Sequence, residues 1–384
     1  MPATRTYDVA IIGAGVFGAW TAYHLAKRKQ RVILVEAYAP AHSRASSGGE
    51  SRIIRMSYGP DEIYTRWSQQ SLIEWKDLFA TMGENLFQKT GVLWLSADGD
   101  STLNHSIATL QRCSVPHEIL PRCALDHRYP QFNFDGISRG LLEPESGVLL
   151  ARRAVTCTVE AAKRQGVHLK IAQVQSPRSA NRLDFAETLT GERITAGAFV
   201  FACGPWLGKV FPEILGARIF PTRQEVFFFA TPSGDVRFAP PAMPTWLFEA
   251  DEAYGMPDIE ARGLKLANDQ HGKRVDPDTQ SRLVSTEGID WARNFVARRF
   301  PALKHASIVE TRVCQYENTS NGDFLIDRHP DLQNVWLAGG GSGHGFKHGP
   351  AFGHYTADMV LGERTPEARF SLSTKSTLQN RSVH

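Results

Sequence analysis

Residues 7–18 read YDVAIIGAGVFG, and no other stretch narrows the choice of folds for this 384-residue chain as far. Val9, Ala10, Ile11 and Ile12 make a short apolar run suited to a buried parallel strand. Gly13, Gly15 and Gly18 follow at the GxGxxG spacing. The first glycine allows a sharp turn, the second leaves the backbone open to a pyrophosphate, and the third lets the next helix pack close to the strand. That helix, expected from Val16 through Phe17 to about residue 28, points its amide-rich N-terminus at the phosphates. A second strand over residues 31–35 ends at Glu36, whose carboxylate can accept hydrogen bonds from both ribose hydroxyls of an adenosine. Strand, glycines, helix, strand and acid arrive in the order a dinucleotide-binding unit requires. The motif by itself does not choose between FAD and NAD.

Composition bounds the rest. The length predicts two domains, and 42% hydrophobic with 22% charged residues fits a globular protein. A net charge of +3 gives no electrostatic case for nucleic acid. No apolar run approaches the roughly 20 residues needed to cross a bilayer, and the first apolar segment is cut by Gly13 and Gly15, which reads as a strand and not as a signal peptide. Five scattered cysteines, none in a CxxC pair, suggest neither a disulfide framework nor a zinc site, so no metal is expected and a reducing cytoplasm is the simplest setting.

After Glu36 a loop of small polar residues, 42–51, contains Ser47; its amides and hydroxyls can hold further parts of a cofactor. Arg52 and Arg55 would share a face if residues 52–55 are helical, or be two solvated arginines. An amphipathic helix is predicted over 64–82, a strand over 90–95, a helix over 101–113, a strand–turn–strand over 141–150, a helix over 152–165 and a strand over 167–171. Residues 198–206 read as a buried strand ending at Cys203 and Gly204, beside the ligand crevice of a doubly wound sheet, with Cys203 a core or turn thiol. Strand character returns at 223–230, a turn at 254–257, a strand with Lys265 among apolar residues at 263–266, a helix at 278–300 and a strand at 307–316. A last buried strand, 335–338, enters a second glycine-rich turn, 339–347, and a helix over 350–361 follows. The polar tail from 371 is expected to fray.

The blocks CQYENT at 314–319, DFLID at 323–327 and GHGFK at 343–347, with GAGVFG, SRIIR at 51–55, KTGVL at 89–93, SGVL at 146–149 and GLKL at 263–266, resemble the monomeric sarcosine oxidase and N-methyltryptophan oxidase group of the D-amino acid oxidase superfamily. The likeness runs in order along nearly the whole chain. It implies an α/β, Rossmann-like FAD-binding domain assembled from residues 1–85, 146–216 and 312–384. A mixed-sheet substrate domain of α+β type, from 86–145 and 217–311, would complete a p-hydroxybenzoate hydroxylase/D-amino acid oxidase-like fold. It implies FAD held by a thioether from Cys314, with Val174, Cys203, Gly204, Gly343, Gly345 and Phe346 among the cofactor contacts and His344 either a flavin contact or a turn residue. Lys265 matches the oxygen-activating lysine, Arg52 the arginine against the flavin ring, Arg55 and Lys347 the cations for the substrate carboxylate, and Tyr254 a tyrosine on the substrate side.

The activity so implied is oxidation of a secondary or N-methyl amino acid to an imine, with O2 reduced to H2O2, by a cytoplasmic monomer. Fructosyl-amino acid, pipecolate or saccharopine oxidation are the nearest alternatives, and a dehydrogenase with another acceptor or a flavin-binding subunit without turnover are the rivals. One departure bears on specificity: Asp269 stands where the sarcosine oxidases carry a histidine, so the amine is expected to be more polar or doubly cationic, unless Asp269 is a solvated loop residue.

Overall fold

A computed structural model describes residues 7–97, 99 and 101–380. The motif strand Tyr7–Ile12 lies near the middle of a seven-stranded sheet. It pairs in parallel with Val32–Glu36 on one side and Arg193–Phe201 on the other. His168–Ile171 extends the sheet beyond Val32–Glu36, and Val335–Gly339 extends it beyond Arg193–Phe201, both in parallel. Leu325–Arg328 closes the edge antiparallel to Val335–Gly339. Such strands are buried on both faces, which is why they read as unbroken apolar runs. Helices Val16–Lys27, Ala151–Arg164 and Gly349–Leu361 join one core around Trp20, Leu25, Val155 and Phe352.

A second, eight-stranded sheet runs in the order Ile308–Asn318, Phe220–Phe229, Leu264–Asn268, Ala253–Met256, Thr245–Phe248, Val92–Ser96, Arg139–Glu143 and Glu118–Pro121. Only the pair Thr245–Phe248 with Val92–Ser96 is parallel, so the sheet is mixed. Its core is aromatic: Trp246 stacks on Phe295 at 5.6 Å and lies 5.1 Å from Phe300. A small third sheet joins Arg52–Ile54, Gly147–Leu149 and Phe87–Gln88.

Several sequence expectations are corrected. Residues 52–54 form a strand against Gly147–Leu149, not a helical turn, so Arg52 and Arg55 do not share a face. The turn expected at Tyr254 is the strand Ala253–Met256, paired on both sides; its neighbour Thr245–Phe248 has no counterpart among the predicted elements. The helix expected from residue 278 begins only at Thr286, where the Ser285 hydroxyl accepts the Gly288 N–H at 3.0 Å. Asp278 upstream is instead engaged by Trp206 Nε1 at 2.7 Å and by Lys209. The tail is anchored as far as residue 380, residues 381–384 lying outside the described residues: Lys375 is buried and donates to the Arg369 carbonyl at 2.7 Å, and the Asn380 N–H reaches the Ser320 carbonyl at 2.6 Å.

Candidate active site

The C-terminal ends of the parallel strands open on a cleft of about 450 Å³ whose walls include Gly13, Gly15, Glu36, Val174, Cys203 and Gly204. Gly13 has φ +108°, and a Cβ there would run into the Ala202 carbonyl, so the turn requires glycine. A Cβ at Gly18 would strike the Gly13 carbonyl, so the helix can lie this close to the turn only with glycine there. The Ser47 hydroxyl accepts the Val16 N–H at 3.2 Å and joins the loop 42–51 to the helix start. Glu36 accepts N–H bonds from Ala14 at 2.8 Å and Tyr38 at 3.2 Å. Burial raises its pKa against the pull of those amides. Burial also pushes the Cys203 thiol up, which leaves it unreactive.

The cleft continues into a neck of about 90 Å³ between the two glycine-rich turns, bounded by Phe17, Arg52, Tyr316, Gly343, Gly345 and Phe346. Glu317 lines this neck; its Oε1 is buried without a partner and burial raises its pKa to about 8.

Beside the neck, Arg52 is held by the Ser51 carbonyl at 2.8 Å and the Ser46 carbonyl at 2.7 Å, and its guanidinium lies 3.1 Å from Cys314 Sγ. Cys314 sits on Ile308–Asn318 opposite Gln224. Lys265 is 4% exposed and donates to the Ser51 carbonyl at 2.9 Å and its hydroxyl at 3.1 Å. Burial, helped by the Arg52 charge, lowers the Lys265 pKa to about 7. Tyr254 Oη lies 3.3 Å from Tyr316 Oη, and burial raises its pKa to about 12.

A third space, about 470 Å³, is bounded by Arg55, Tyr58, Trp94, Leu247, Glu249 and Asp269. Arg55 is sandwiched by aromatic faces, its guanidinium 4.3 Å from the Tyr58 ring centre and 4.8 Å from that of Trp94. Lys347 Nζ donates to Tyr58 Oη at 2.8 Å and to the His344 carbonyl at 3.1 Å. Tyr58 therefore joins the two cations. Its hydroxyl also lies 2.8 Å from His348 Nε2 and 3.2 Å from His344 Nδ1. Burial and the Lys347 charge hold His348 neutral, so its ring can accept the Tyr58 proton while Lys347 occupies a lone pair of the oxygen. The His344 ring is also engaged by the Gly322 carbonyl at 3.0 Å and stacks on Phe324.

Of the site residues named from the sequence, Gly13, Gly15, Glu36, Ser47, Val174, Cys203 and Gly204 line the cleft, Val16, Phe17, Arg52, Gly343, Gly345 and Phe346 the neck, and Arg55 the third space, whereas Gly18, Tyr254, Lys265, Cys314, His344 and Lys347 line none of the three. Sequence reasoning missed His348, Trp94 and Glu317. Only the position of His348, one turn on from His344, was a signal; nothing local marks Trp94 or Glu317.

A glycine-cradled strand end, an acid beside it and a second glycine turn across the neck are the marks of a dinucleotide-dependent oxidoreductase. The FAD dependent oxidoreductase family matches residues 8–359, and the chain belongs to it. Peroxisomal sarcosine oxidase of Homo sapiens is 30% identical over 377 residues, covering 96% of each chain. Monomeric sarcosine oxidase of Bacillus sp. strain B-0618 is 30% identical, covering 94% of this chain and 93% of that one. N-methyl-L-tryptophan oxidase of Salmonella heidelberg is 29% identical, covering 94% and 96%. L-proline dehydrogenase from P. horikoshii shares the fold with TM-score 0.84 at 22% identity, over 96% of this chain and 97% of that one. Fructosamine oxidase from Aspergillus fumigatus does so with TM-score 0.80 at 20%, over 96% and 89%. The residues fit FAD: Glu36 suits the adenosine ribose, the Gly15 backbone the pyrophosphate, and Glu317 Oε1 a hydroxyl of the ribityl chain.

Proposed function

We propose that this chain is an FAD-dependent amine oxidase acting on a secondary or N-methyl amino acid, with FAD tethered through Cys314 and O2 as acceptor. The carrying observation is the meeting of Arg55 and Lys347 at Tyr58, on the wall of a cavity large enough for an amino acid. Two buried cations sharing one phenol are poised for a carboxylate, Arg55 by a two-pronged fit and Lys347 as a point charge. When bound, FAD would take a hydride equivalent from the carbon next to nitrogen and hand two electrons to O2, so that an imine and H2O2 leave.

The residues supply the rest. Lys265, within reach of Ser51 and next to Arg52, offers a preorganised cation where O2 acquires charge. The Arg52 guanidinium lies 3.1 Å from Cys314 Sγ, the sulfur that would join a flavin methyl. Asp269 and Glu249 on the cavity wall favour an amine more polar or more cationic than sarcosine. The two sheets support a division into an FAD-binding domain (1–85, 146–216, 312–384) and a substrate domain (86–145, 217–311), except that residues 312–318 belong to the eight-stranded sheet and Phe87–Gln88 pairs with Gly147–Leu149. Among the described residues no helix is long and apolar enough to cross a membrane. Five free cysteines are in keeping with a reducing cytoplasm.

The test is a peroxide assay against N-methyl, cyclic and dibasic amino acids, with Arg55→Gln and Lys347→Gln alongside. Each variant should lose about 10²-fold in kcat/KM, chiefly through KM. Dye reduction without peroxide would make the protein a dehydrogenase, and no flavin bleaching by any amine under anaerobic conditions would remove the amine-oxidase reading.

A further inference from the structure

Three helices distant in sequence bring His24, Glu74 and His354 together, with one ligand atom from each within 4.8 Å of the other two. His24, in the last turn of Val16–Lys27, is 7% exposed, and its Nε2 has no hydrogen-bond partner. The nearest acceptor, Glu74 Oε2, is 3.3 Å away but out of line. His24 and Glu74 thus meet at ion-pair distance, with His24 Nε2 lacking a hydrogen bond of good geometry. Gln70 Nε2 donates to the other Glu74 oxygen at 2.7 Å and fixes the carboxylate, as an outer partner of a ligand does. His354 Nε2 stands 3.6 Å from Asp358, beyond bonding reach, because Asp358 is taken by Arg28 and by Arg364 at 2.9 Å.

Two imidazoles and one carboxylate are a donor set for a borderline divalent ion of the zinc type. Tetrahedral ligation needs donor atoms about 3.4 Å apart, a closure within reach of side-chain rotation because Glu74 and His354 are 23% and 38% exposed. The same exposure gives an ion its entry path and a water the fourth position.

We propose that His24, Glu74 and His354 form a zinc-type metal site that clips the two helices following the glycine turns, Val16–Lys27 and Gly349–Leu361, to the long helix Glu62–Met82. The site lies outside the redox cavity, so it acts on the rigidity of the cofactor cradle and not on the chemistry. A bound ion stabilises the folded state by mass action.

The test uses the flavin-loaded protein after chelator treatment, titrated with Zn2+ in a calorimeter and followed by thermal melting. One equivalent should bind and the melting temperature should rise to saturation. Glu74→Gln, isosteric with the native residue, and His354→Ala, at an exposed position, should each weaken binding at least about tenfold while the unliganded proteins melt as cooperatively as wild type. Absence of one-equivalent saturable binding in the wild type, or binding unchanged in both variants, would overturn the proposal.

Discussion

At the scale of single residues, the site depends on buried charges with imposed partners. Lys265 is the clearest. Its pKa of about 7 makes the cation abundant only below neutrality. In Lys265→Met the flavin should still be reduced by substrate, while reoxidation by O2 slows about 10²-fold, the usual cost of losing one preorganised electrostatic group. Stopped-flow reoxidation at the same rate as wild type would take Lys265 out of the oxygen step. The same shift fixes a stability slope. Between pH 7 and the ordinary lysine value of 10.5 the unfolded chain holds a proton that the folded one has shed. Stability therefore rises with pH in that window, by up to about 1.4 kcal/mol per unit, and Lys265→Met should abolish that increment in urea titrations. Cys314 is a second single-residue test: acid-precipitated Cys314→Ala should give a colourless pellet where wild type gives a yellow one. The sequence placed Lys265 in an apolar strand, and its proposed role came from the family resemblance. The partner Ser51 was not legible there, because residues 51 and 265 meet only through the packing of two different sheets.

At the scale of elements, the helices behind the glycine turns pack too closely for side chains. A Cβ at Gly353 would lie 2.6 Å from the Trp20 backbone and 2.7 Å from the Thr21 nitrogen. Replacing a helix-interior glycine by alanine ordinarily gains about 1 kcal/mol, whereas overpacking costs about 1–3 kcal/mol. Overpacking outweighs helix propensity here because the obstruction is backbone, which cannot rotate aside. Gly353→Ala should lower the urea midpoint, and a midpoint equal to or above wild type would show that the helix pair can separate without loss. The helix Gly349–Leu361 was predictable within a residue from its apolar run. The strands around Tyr254 were not, since Gly255 and Pro257 mimic a turn while pairing on both sides overrides that local preference.

At the scale of the molecule, the strand Ile308–Asn318 belongs to the eight-stranded sheet yet carries Cys314, Tyr316 and Glu317 to the neck between the glycine turns. The Ser342 N–H, in the second turn, binds the Glu317 carbonyl at 2.8 Å. A cofactor in the neck would therefore touch both sheets at once and stabilise the whole. In Cys314→Ala, added FAD at a hundred times its Kd should stabilise the protein by about 2.7 kcal/mol. Wild type carrying a tethered flavin should not respond. An FAD-independent melting temperature in the variant would mean that the two sheets hold together without help from the cofactor.

The sequence by itself determined the nucleotide end of the site. There the turn, the helix start and the acid are set by residues close along the chain, and the glycines are fixed by local backbone geometry at Gly13 and contact at Gly18. It also proposed, through its resemblance, roles for Arg52, Arg55, Lys265, Cys314 and Lys347. Only the tertiary structure decided which of these meet: Arg52 against Cys314, Lys265 on Ser51, and Arg55 with Lys347 through Tyr58. The same holds for His24, Glu74 and His354. Such contacts arise from the packing of separate sheets and helices, and no periodicity along the chain encodes a distance across it.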